Sequence, residues 1–129
     1  MKRRFWEFVS AIKNAQLVNK SIVKHNKNKN YEMLLNILWD EGYILGYKTS
    51  IHSSDNILIY LKYNNNKSPA ITNIKIISKS SLKIYYSIKQ LWKLNESHGL
   101  IILSTNKGLL SVNSCKKMGI GGEPILIIK

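Results

Sequence analysis

LIILSTNKGLLSVNSCKKMGIGGEPILIIK, Leu100 to Lys129, alternates apolar runs with two polar, glycine-bearing turns. GLIILS and EPILIIK are short, rich in β-branched residues and bounded by turn formers, so they read as strands. Pro124 has no backbone N–H to give to a ladder, which suggests that the last strand begins at a sheet edge. Between the runs, Ser111 is placed to cap a short helix reaching about Met118 and stopped by Gly119. The two turns are STNKG, Ser104 to Gly108, and GIGGE, Gly119 to Glu123. They would lie at the rim of a small sheet, offering hydroxyls, an amide, a lysine and open backbone.

Upstream, SLKIYYSI (Ser81–Ile88) reads as a further strand, and KQLWKLNESH (Lys89–His98) fits a helical turn or a loop equally. NILIYLKY (Asn56–Tyr63) and AITNIKII (Ala70–Ile77) are β-rich, and NNNKSP between them predicts an antiparallel hairpin. YEMLLNILWDEGYI predicts a helix with Met33, Leu34, Ile37 and Leu38 on its apolar face and Gly42 at its C′ position. SIVKHN (Ser21–Asn26) is a short strand. Arg4 to Asn19 is a helix with Phe5, Phe8, Val9, Ile12 and Gln16 along one stripe. The opening MKRRFWEFVS is too short for a secretory signal and contains Glu7, so it belongs to that helix. Helices come early and strands late, which predicts an α+β fold rather than a wound parallel sheet. The lobe boundary falls between Ser68 and Ser78. It separates an N-terminal α-β-α-β-β lobe, 1–72, from a C-terminal lobe, 73–129, of mostly antiparallel β-structure with a short helix.

The 129 residues carry 20 basic and 7 acidic side chains, a net charge of +13. That excess exceeds what solubility requires and implies a polyanionic partner, nucleic acid before any other. Codon bias in an AT-rich genome explains why Arg3 and Arg4 are the only arginines among many lysines. It does not explain the excess of base over acid. No apolar run approaches the roughly 18 residues of a membrane span, and no long basic amphipathic helix favours a lipid surface. A single cysteine, Cys115, excludes an internal disulfide and leaves a Cys-based zinc site short of ligands.

Nothing in the sequence assembles a catalytic set. His25, His52 and His98 stand apart in polar contexts and read as solvated loop residues. Cys115 reads as a small buried hydrophobe on a helix face shared with Met118. Asp40 and Glu41 are adjacent, so on a helix they do not face one another. GIGGE resembles neither a P-loop nor a dinucleotide fingerprint, because a strand follows it. A tight turn explains it as well. Ser104, Thr105, Asn106, Lys107 and Gly108 suit the sugars, phosphates and shallow-groove edges of RNA, although a plain hairpin turn uses similar residues. In SKSSLKIYYSIK, Lys79, Lys83 and Lys89 flank Tyr85 and Tyr86. Neighbours on a strand face opposite ways, so one tyrosine packs inward and the other is free to stack on a nucleotide.

LSTNKGLLS followed by GIGGEPILII resembles the C-terminal signature of the eighth small-subunit ribosomal protein family, bacterial type. AIKNAQLVNKSIV, ILWDEGYI and SLKIYY are similar to further segments of that family, so the resemblance covers the whole chain. Two departures stand out. Lys79-Ser80-Ser81 replaces an Arg-Pro-Gly, and the acidic start of the first helix is Lys-Arg-Arg with only Glu7 retained. Lysine keeps the attraction for phosphate but loses the bidentate fork.

The resemblance implies a structural, non-enzymatic component of the small ribosomal subunit, with two lobes and no cofactor, metal or small-molecule substrate. Its partners would be the central domain of small-subunit rRNA, bound early in assembly, and neighbouring small-subunit proteins. Carried onto this chain, Ser104 to Gly108 approach the shallow groove, supported by Lys79, Lys83, Tyr85 and the Gly121, Gly122, Glu123 turn. Lys13 and Asn14 add contacts from the first helix. A free-standing RNA-binding translational regulator is the alternative. The lysine, asparagine and isoleucine bias, with a match that starts close to Met1, points to a mitochondrial ribosome, with a plastid or a bacterial cytoplasm as the other settings.

Overall fold

The computed structural model describes residues 2–49, 55–65, 67–77, 85–93 and 99–129. The chain divides into two units, Met1–Thr72 and Asn73–Lys129. Both mix helices with an antiparallel sheet, so the fold is α+β.

In the first unit the order is α1 (Lys2–Leu17), β1 (Ile22–Asn26), α2 (Lys29–Asp40), β2 (Ile44–Thr49) and β3 (Asn56–Leu61). The sheet runs β1-β3-β2, with β3 in the middle. Ile57, Ile59 and Leu61 alternate into the core, as the two-residue period of a strand requires. Phe5, Phe8, Val9 and Ile12 are buried along α1, following the stripe read from the sequence. Phe8 stacks on Tyr31 of α2 with centroids 4.2 Å apart and planes 6° from parallel. Gln16 is buried at the end of this stripe, and its Oε1 accepts the Ile71 backbone N–H at 3.1 Å.

Asn28 caps α2 by accepting from the Asn30 N–H. At the other end Gly42 turns left-handed at φ 80°. Its N–H reaches the Trp39 carbonyl, and the Tyr43 N–H reaches the Leu38 carbonyl. This is the Schellman closure for which the C′ glycine was expected.

β2 was not foreseen, because Gly46 interrupts a run with little alternation. The Trp39 ring explains the glycine: a Cβ there would stand 3.2 Å from Trp39 Cζ2. NNNKSP does turn the chain, with the Asn64 N–H bonded to the Ser68 carbonyl. The predicted hairpin nonetheless goes no further than the single bridge Tyr63–Pro69, because β3 is already paired along both edges, with β1 and with β2.

The second unit contains β4 (Ile74–Ile76), α3 (Ile88–Trp92), β5 (Leu100–Thr105), β6 (Gly108–Ser111), α4 (Val112–Met118) and β7 (Glu123–Ile128). Its sheet runs β4-β7-β5-β6. β7 therefore lies inside the sheet rather than at its edge. Pro124 is tolerated because β4 pairs with β7 only as far as Leu126, and because β5 shifts register opposite it, between Ile102 and Leu103. Ser111 caps α4 and Gly119 ends it at φ 68°, both as predicted.

SLKIYYSI does not continue as a strand through its described residues. Tyr86 makes one bridge, to Gly122, and Ser87 then begins α3 with a reciprocal capping box to Gln90. Beneath its helices this unit buries a cluster of Leu91, Leu103, Val112 and Cys115, ringed by Tyr86, Ile88, Ile101, Leu110 and Ile120, and its sheet also buries Ile102, Leu126 and Ile128.

Phe8 is fully buried and carries the aromatic stack between α1 and α2. Phe8→Ala should lower stability by about 3–5 kcal/mol in urea denaturation. A loss below about 1 kcal/mol would contradict this packing.

Candidate nucleic-acid interface

The rim begins at the β5–β6 connection. Thr105 pairs with Gly108, leaving Asn106 and Lys107 as a two-residue turn, both exposed. Gly108 has φ 99°, a conformation that a side chain would resist. The Thr105 hydroxyl donates to the Gly108 carbonyl at 2.8 Å and accepts the Lys107 N–H at 3.1 Å. It is committed to shaping the turn. The Ser104 hydroxyl, half-buried, makes no hydrogen bond among the described residues.

GIGGE arrives beside this turn because Ser104 is in register with Glu123. Gly122 fits where nothing larger could: a Cβ would lie 2.8 Å from the Ser104 carbonyl and 2.8 Å from Thr105 Cγ2. Gly121 is equally constrained from the other side. A Cβ there would overlap the Tyr86 carbonyl and approach Ser87 Cα and the Tyr85 hydroxyl, each at 3.1 Å. Paired backbone bonds between Tyr86 and Gly122, at 2.8 and 3.0 Å, close the junction. Three chain segments that are remote in sequence therefore meet at two glycines.

This junction also assigns the tyrosines. Tyr86 packs on the core, whereas Tyr85 is 67% exposed with its hydroxyl above Gly121. Glu123 is the one carboxylate side chain among the described residues of this unit. Lys75, Lys89, Lys93, Lys107, Lys116, Lys117 and Lys129 oppose it, so the unit is strongly cationic.

Of the residues picked out in the sequence, Ser104 to Gly108, Tyr85 and Gly121 to Glu123 come together. Lys79 and Lys83 lie outside the described residues. Lys13 and Asn14 belong to α1 in the first unit, where Asn14 is exposed and lines a groove with Ala11, Val18 and Ile22. No local pattern joins Trp92 to Lys116, since they are far apart along the chain. In the structure the Lys116 ammonium stands 5.1 Å from the Trp92 ring centroid.

Nothing described here resembles a reaction centre. Cys115 is fully buried, and burial pushes its thiol pKa up, away from the thiolate. His25 is not a solvated loop residue. It lies in β1, its ring edge-on to Phe8 and Tyr31 at 5.1 and 5.4 Å. His52 and His98 fall outside the described residues. Among the described residues no three His, Cys, Asp or Glu side chains gather as metal ligands would.

A family model described as Ribosomal protein S8 matches residues 5–128 of the chain. The Small ribosomal subunit protein uS8 of Bradyrhizobium sp. (strain ORS 278) is 36% identical over 124 residues, covering 95% of this chain and 93% of that protein. Its namesake in Pseudomonas aeruginosa (strain UCBPP-PA14) is 34% identical over 122 residues, with the same coverage of 95% and 93%. The Small ribosomal subunit protein uS8c of Chlorella vulgaris is 34% identical over 125 residues, 91% of each chain.

The two-glycine junction yields a paired test. Gly121→Ala should cost about 1–3 kcal/mol in urea denaturation, because its methyl meets backbone that cannot move aside. Gly119→Asn is the control: nothing lies within 4 Å of its Cβ, and Asn tolerates the left-handed backbone. Equal losses in the two variants would refute the close fit.

Proposed function

This chain belongs to the ribosomal protein S8 family, whose members are structural ribosomal proteins and not enzymes, and we propose that its second unit grips the central domain of small-subunit rRNA through the Ser104–Gly108 and Gly121–Glu123 rim. It is a structural component of the small ribosomal subunit and serves translation.

The observation that carries the rRNA reading is the meeting of a polar turn and a glycine-rich turn beside one unbonded hydroxyl. An RNA shallow groove is wide, lined by 2′-hydroxyls, and accessible to backbone as well as to side chains. Gly121 and Gly122 let the two turns pack backbone to backbone, and Gly108 keeps the Ser104–Gly108 turn tight where it would meet the groove. The Ser104 hydroxyl is available to a ribose, and Asn106 to a base edge or sugar. Lys107 neutralises phosphate. Thr105 acts through the turn it shapes, and Tyr85 offers an exposed ring for stacking. Glu123, a poor neighbour for phosphate, accepts from 2′-hydroxyl or base amino groups. Lys79 and Lys83 add to the charge that attracts phosphate, and Lys13 and Asn14 contribute contacts from α1. Early binding would hold the rRNA fold while neighbouring proteins join.

Its place is a ribosome, and we assign that ribosome to a mitochondrion on the AT-rich codon signature of lysine, asparagine and isoleucine. The bacterial relatives and the Chlorella protein fit a bacterial or plastid setting as well.

Ser104→Ala combined with Thr105→Ala should weaken binding to the central-domain rRNA fragment about tenfold in a gel shift, as expected for one or two lost hydrogen bonds. The fold should persist, and unchanged affinity would refute the assignment. Binding should also be steeply salt-dependent. If about four phosphates are neutralised, affinity falls on the order of a hundredfold between 50 and 200 mM salt. A flat response would remove the electrostatic part of the proposal.

A further inference from the structure

The helical layer of the second unit carries an aromatic residue that the packing does not need. α3 is one short turn, fixed at its start by the Ser87–Gln90 capping box and anchored by Leu91, which is fully buried in the core. The next residue, Trp92, points the other way and is 62% exposed. Lys89 and Lys93 flank it along the chain. From α4, the Lys116 ammonium sits 5.1 Å from its ring centroid, with Lys117 and the 45% exposed Met118 following. Neither helix contains an acidic residue.

The lysines taken alone have an ordinary explanation, since cations near helix C-termini complement the macrodipole. That explanation leaves Trp92 aside. An indole this exposed gains by being covered, and the charge around it selects what can cover it. One ammonium over a flat ring, with Lys89, Lys93 and Lys117 close to that pair along the chain, matches one chemistry well: a base to stack, with phosphates on either side. An acidic peptide would satisfy the lysines but leaves the flat face of the ring without a partner of its own shape.

We propose that Trp92, with Lys89, Lys93, Lys116 and Lys117, forms a second RNA contact, on which an unpaired nucleotide stacks. It goes beyond the rim and rests on the reading of this chain as an RNA binder. The two surfaces are adjoining: Ser87, at the start of α3, lies against Gly121, and Trp92 follows five residues later. At 1.5 Å per residue that is roughly 7 Å along the helix, about one nucleotide away. For one RNA strand to serve both surfaces, it would run from Tyr85 along α3 to Trp92.

Trp92 emission tests this, isolated either in a Trp6→Phe/Trp39→Phe variant or, should that variant fold poorly, as the difference between the intact chain and Trp92→Phe. The probes are single-stranded oligouridylate, the central-domain rRNA fragment and polyglutamate. The expected result is quenching by either RNA, with shielding from acrylamide. Trp92→Ala should weaken oligouridylate binding about tenfold or more. RNA bound in a gel shift without change in Trp92 emission overturns the proposal, as does quenching by neither RNA. Shielding by polyglutamate alone overturns it too and assigns the surface to a protein. If the rRNA fragment fails to bind while oligouridylate still quenches, the Trp92 contact stands and the rim reading falls.

Discussion

Gly121 and Gly122 hold the second unit together where three chain segments meet backbone to backbone. On one side lie the Tyr86 carbonyl and Ser87, on the other the Ser104 carbonyl and the Thr105 methyl. No side chain fits either position. The geometry follows from ordinary strand pairing. β7 pairs with β5 so that Glu123 stands opposite Ser104, and the segment before α3 adds a bridge at Gly122. Because a backbone carbonyl stands against each glycine, the turn they support is fixed in shape. A rigid edge loses little conformational freedom when a ligand arrives, which favours recognition by contour.

The same edge leaves polar capacity unused. Thr105 spends its hydroxyl within the turn, whereas Ser104 keeps its own, and Asn106 and Lys107 project outward. Behind them Leu91, Leu103, Val112 and Cys115 form the small core that both helices and the sheet share. The apolar core and the candidate rim thus occupy different parts of the same strands, their buried middles and their ends. With a net charge of +13, the folded chain repels itself, and a polyanion relieves that repulsion on binding. On the proposed reading, phosphate neutralisation contributes binding strength, while the rim contributes fit.

Much of this was legible in the sequence, because the signals were local. Ser111 and Gly119 bracket α4, Gly42 closes α2, and the α1 stripe from Phe5 to Ile12 is buried as its spacing requires. The failures share one cause, which is pairing between distant segments. AITNIKII has the composition of a hairpin partner for β3, yet its strand pairs with β7, some fifty residues later. Pro124 marks an edge only for the part of β7 that β4 does not reach. Gly46 looks like a strand breaker until the Trp39 ring is placed over it. The ambiguity between Tyr85 and Tyr86 was resolved by the bridge to Gly122, a contact that no local period encodes. The candidate rim was readable as two turns, while their convergence, and the pairing of Trp92 with Lys116, depended on tertiary structure.

One measurement bears on all of this at once: a map of the small ribosomal subunit that contains this chain. If the rim grips RNA, Ser104 to Gly108 and Gly121 to Glu123 will lie in direct contact with central-domain nucleotides, with Ser104 within hydrogen-bonding distance of a ribose or base. A complete particle in which those residues face bulk solvent, or are covered by protein alone, would contradict it.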